Sequence, residues 1–123
     1  MDEERWAHLP IADQMANIGA EVGRAFAALR RHDQERLEGA LRRGLDLFDL
    51  TANVWARRKS PRTKEILRAR SLFVEAITTG RDDPQLERYF MQFAAMARLR
   101  ARAGSDGTYG PRSAFGESLL SQR

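Results

Sequence analysis

Two kinds of chemistry are open to an all-helical chain of this size: acids converging from neighbouring helices can hold magnesium, and a histidine near an arginine can serve as a general base. The acids that come nearest to the first arrangement are Glu35, Glu38, Asp46 and Asp49. On a helical wheel Asp46 and Asp49 point away from the apolar stripe of their own segment. Arg42 stands four residues from both Glu38 and Asp46, the spacing of ordinary ion pairs along one helix. A magnesium-dependent nucleotide hydrolase is therefore kept as an alternative, with no metal ligand and no cofactor assigned.

The histidines are His8 and His32. Ribonucleases of the HEPN kind, a small all-α family rich in toxins, carry an arginine followed four to six residues later by a histidine on one helix. Here Arg24 and His32 have seven residues between them. His32 falls where its helix should end, so a divergent HEPN-like ribonuclease also stays an alternative. No nucleophile elbow or phosphate-binding glycine loop is present, and no catalytic residue is assigned.

The strongest chemical signal is positive charge. Residues 57–70 hold seven Arg or Lys and one acid, Glu65. The net charge of +4 conceals a division: residues 1–56 carry 7 basic and 10 acidic groups, and residues 57–102 carry 12 and 5. Clustered cations sum their field toward a polyanion where interspersed ones cancel. Lys64 and Arg68 fall at about 160° and 200° from Ile66 on a helical wheel, opposite the apolar stripe. With Arg57, Arg58, Lys59 and Arg62 just before them, and Arg98 and Arg102 near the end of the last helical segment, they form a candidate nucleic-acid-binding pole. Arg70 falls inside the apolar stripe, at about 40°. A guanidinium there needs a partner, and Glu21 is expected to supply it as a buried polar pair.

Four segments show the period of an amphipathic helix. The apolar positions are Ile11, Met15, Ile18, Val22 and Phe26; then Leu37, Leu41, Leu45, Phe48 and Trp55; then Ile66, Phe73 and Ile77; then Leu86, Phe90 and Phe93. Pro10, Asp33, Ser60-Pro61 and Asp83-Pro84 supply start signals and Gly80 a stop. Short connections make consecutive helices antiparallel, which predicts an all-α, up-down four-helix bundle over residues 1–102, one end of it covered by Trp6 and Leu9. Residues 103–123, rich in glycine, read as a flexible C-terminal tail, with Ser113–Leu120 as a possible docking helix. Gly19 and Gly23 lie inside the first segment, where each costs about 1 kcal/mol against alanine, so both are expected to admit another backbone, within the bundle or across a dimer.

No segment reaches the length of a membrane span, the acidic start is unlike a signal peptide, and the chain has no cysteine. These features fit a cytoplasmic location without disulfides or thiolate-bound metal. The stretches RWAHLPIADQMANIGAEVGR (residues 5–24), LDLFDLT (45–51) and RYFMQFAAMAR (88–98) resemble a family of small bacterial helical proteins, a resemblance that implies no particular activity. In layout the chain also looks like the four-helix accessory proteins of diversity-generating retroelements, basic oligomers that hold a reverse transcriptase and its template RNA. The functional expectation is a non-enzymatic accessory protein that binds nucleic acid, RNA before DNA. It would form a homo-oligomer and work beside a larger protein. A protein-interaction or oligomerisation module is the alternative.

Overall fold

The computed structural model describes residues 2–103; the expected tail beyond Ala103 lies outside them. Among the described residues there are five helices and no strand: α1 (Glu3–His8), α2 (Ile11–Arg30), α3 (Gln34–Arg57), α4 (Thr63–Thr79) and α5 (Pro84–Ala103). The four long helices are those anticipated from the apolar periodicity. The short α1 is additional. Asp2 caps it by accepting from the Arg5 N–H at 2.8 Å, and Glu3 and Glu4 favour its positive end.

Six residues are too few for a helix to persist alone, so α1 depends on what it buries. Trp6 lies fully within the core, and its indole N–H donates to Thr51 Oγ1 on α3 at 2.8 Å. Gln14 of α2 is buried beside it. It donates to the Trp6 carbonyl at 2.8 Å and accepts from the Trp55 indole at 3.0 Å. One carboxamide thus joins α1, α2 and α3. This network closes the end of the molecule that Trp6 and Leu9 were expected to cover.

At the centre, each long helix contributes one phenylalanine. Phe73 lies 6.1 Å from Phe26 and 5.8 Å from Phe48, centroid to centroid, and Phe48 lies 5.9 Å from Phe90. The edge-on contacts within this group add to the stabilisation from burial. Helix α2 packs along α3 and α5, α4 leans on α3, and α4 meets α5 at few positions. Gly19 explains the close approach of α5: a Cβ there would stand 2.7 Å from Phe90 Cβ. Gly23 does not share this role, because nothing lies within 4 Å of the position its Cβ would take. Within the chain the close approach is present at the first glycine and absent at the second.

The turns repeat one device. His32 (φ 57°), Lys59 (φ 54°) and Gly80 (φ 69°) each adopt the left-handed conformation just past a helix. The following N–H then returns to the helix: Asp33 to Ala28, Ser60 to Trp55 and Arg81 to Ala76, each at 2.9 Å. Asp33 and Asp83 cap α3 and α5 as read from the sequence, accepting from the Arg36 and Leu86 N–H groups. Helix α4 differs slightly. Ser60 Oγ accepts from the Arg62 N–H at 3.1 Å, and residues 61–62 form a turn before the regular helix begins at Thr63.

Candidate anion-binding surface

The basic residues singled out from the sequence separate into engaged and free groups. Arg57 pairs with Glu3, and Arg58 Nη2 donates to the Ala7 carbonyl at 2.7 Å. Both therefore hold α1 against the end of α3. Arg62 is largely covered, with its Nη1 3.8 Å from Glu65 Oε2. Lys59, Lys64 and Arg68 are exposed along the turn and outer face of α4, the last two one helical turn apart. Arg98 and Arg102 are exposed on the last turns of α5. These five cations have no carboxylate partner among the described residues.

The expected pair of Arg70 and Glu21 does not form. Arg70 is half-exposed, and its Nε donates to Asp49 of α3 at 2.8 Å. Glu21 instead accepts from Arg24 at 3.0 Å and from Arg43 at 3.2 Å. Placement gives the physical reason. Glu21 lies against α3 beside Gly44, where Arg43 is the near cation. Arg70 meets α3 from the other side, where Asp49 is the near acid.

Glu65, an ordinary helix-face acid by sequence, is the carboxylate that folding buries. The Tyr89 hydroxyl of α5 donates to its Oε2. Its Oε1 is shielded from solvent without a hydrogen-bond partner, as are Arg62 Nη1 and, on α5, Arg100 Nε. Tyr89 stands next to Phe90 in the sequence, and helical spacing alone gives no sign that its hydroxyl reaches α4.

Two grooves accompany these groups. Because α4 and α5 meet at few positions, a groove of about 810 Å³ opens between them, lined by Arg68 and Leu72 on one side and by Asp83, Gln85, Leu86, Arg88, Tyr89 and Gln92 on the other. Arg88 thus faces Arg68 across a space that sequence spacing does not disclose. A second groove, of about 610 Å³, runs between α2 and α3 and brings Arg24, Arg31, Arg36, Arg42 and Arg43 together with Asp33, Glu35 and Glu38. The acidic average of residues 1–56 hides this cluster. Arg42 is exposed there, and Glu38 accepts from Gln34 at 2.9 Å.

At the opposite end from α1, Arg30 ties α2 to the start of α5, with Nη1 3.0 Å from both Glu87 and Asp82. These hydrogen bonds, Glu87 first, raise the arginine above its ordinary value, so it stays charged. His8 Nδ1 lies 2.8 Å from the Glu4 carbonyl and donates to it in that tautomer. His32 occupies the α2–α3 turn, outside any helix that could carry a paired arginine. Among the described residues no group of three or more His, Cys, Asp or Glu is placed to hold a metal ion, and no helix is long and apolar enough to cross a membrane.

No family model matches the chain, and no curated protein or solved structure is significantly similar to it.

Proposed function

We propose that the chain is a non-enzymatic helical accessory protein that binds nucleic acid, RNA before DNA, through the outer face of α4 and the end of α5. The observation that carries this reading is the set of exposed cations without carboxylate partners among the described residues: Lys59, Lys64, Arg68, Arg98 and Arg102. Cations of this kind suit phosphate contacts, which give affinity without sequence preference and weaken as salt rises. In this reading the four long helices form an up-down bundle, α1 seals one end, and the protein works in the cytoplasm beside a larger protein, in the manner of retroelement accessory proteins.

The test is fluorescence anisotropy with a labelled single-stranded RNA and a DNA duplex across a salt series. Lys64→Glu with Arg68→Glu should weaken binding at least tenfold and flatten its salt dependence. Absence of binding at about 50 mM salt, where phosphate contacts are strong, would remove the reading.

A protein-interaction or oligomerisation module is the second reading, favoured by one observation. Met91 is 65% exposed beside a hollow of about 180 Å³ between α2 and α5, lined by Ala16, Ala20, Gly23 and Ala94. If this surface joins copies of the chain, Met91→Asp should reduce the mass measured by light scattering.

A further inference from the structure

We infer that the groove between α4 and α5 is the docking site of the chain's own segment Ser113–Leu120. Neighbouring helices joined by a short turn normally pack against each other, and α4 and α5 do so at few positions. The space between them is about 810 Å³, with Leu72, Leu86 and Tyr89 in its walls. On α5 the groove-facing residues Gln85, Arg88 and Gln92 continue at helical spacing to Leu99, which is 43% exposed. A strip of amide, guanidinium and apolar side chains therefore runs from the groove toward Ala103, the last described residue.

One buried polar group adjoins the groove. Glu65 on α4 accepts from Tyr89, which lines the groove, and its other oxygen, Oε1, is shut off from solvent without a hydrogen-bond partner. Buried groups of this kind are seldom left unmatched. Arg68 and Arg88 add two exposed guanidiniums without carboxylate partners among the described residues.

The chain supplies a complementary segment. Twenty residues follow Ala103, and Ser113–Leu120 carries Phe115, Leu119 and Leu120 at helical spacing, with Glu117 and no basic residue. Its apolar groups match Leu72, Leu86 and Leu99, and Glu117 matches Arg68 and Arg88. Reach is sufficient. Residues 104–112 extend up to about 30 Å, against about 17 Å along α5 from Ala103 back to Gln92.

The absence of cysteine permits a direct test on the full chain. Ser121→Cys, labelled with a nitroxide, should broaden the amide resonances of Arg68, Leu72, Arg88 and Gln92. Adding Leu119→Asp and Leu120→Asp should restore them. Sharp resonances at these four residues in the labelled chain would overturn the inference, as would broadening that survives the two aspartates. Broadening lost on dilution with unlabelled protein would also overturn it, because the occupant would then be a second copy.

Discussion

Gln14 makes two bonds that no apolar side chain can replace. Its carboxamide receives the Trp55 indole N–H and donates to the Trp6 carbonyl, in a position without solvent access. In Gln14→Leu the Trp55 N–H would be left buried and unmatched, which costs roughly 1–3 kcal/mol. Urea denaturation should show that loss. The left-handed residues behave in the opposite way. His32 and Lys59 hold a conformation that costs a side-chain-bearing residue about 1–2 kcal/mol, while Gly80 meets the same requirement without strain. His32→Gly is expected to raise the melting temperature in thermal unfolding followed by circular dichroism. Lys59→Gly should do so too while removing one cation, which separates the charge of that turn from its stability. Neither the buried carboxamide nor these two turns were legible in the sequence. Gln14 reads as a polar flank until Trp6 and Trp55 converge on it from other helices.

The contrast between Gly19 and Gly23 belongs to the scale of the helix pair. Helix α5 crosses α2 so closely that Gly19→Ala would drive its new methyl into Phe90 Cβ, at 2.7 Å, where a backbone-anchored atom cannot swing away. Overpacking of that kind costs typically about 1–3 kcal/mol. Gly23→Ala meets open space and relieves a helix of glycine, a gain of about 1 kcal/mol. Guanidinium titration of the two variants should move the midpoint in opposite directions; a loss at both would mean that Gly23 is covered by another copy of the chain. Both glycines carry the same sequence signal, four residues apart, and only the crossing point of α5 distinguishes them. The long helices were legible because the apolar period survives each local irregularity. Helix α1 escaped because six residues cannot display a period, and Ser60-Pro61 placed the start of α4 two residues early because the serine caps a turn rather than the helix.

Across the whole molecule the arginines do three different things. Arg57 and Arg58 fasten α1, Arg30 and Arg70 tie helices together, and the free cations of α4 and α5 face outward. Sequence clustering collects the basic residues but cannot divide them, because the division depends on which acids and carbonyls folding brings near. Taken together, the two proposals make a further prediction. Undocking Ser113–Leu120 with Leu119→Asp and Leu120→Asp would release Arg68 and Arg88, so the affinity for RNA should rise severalfold although the variant adds two negative charges. Anisotropy at fixed salt would measure this, and weaker binding would separate the groove from the nucleic-acid surface.

Both tryptophans of the chain sit in the single network that docks α1. Intrinsic fluorescence is therefore a local probe: it reports the wetting of two indoles at one end of the molecule, while circular dichroism reports all the helices. If α1 lifts away before the long helices melt, the emission will shift to the red at lower denaturant than the loss of helicity. The separation between the two curves would measure how independently that end of the protein opens.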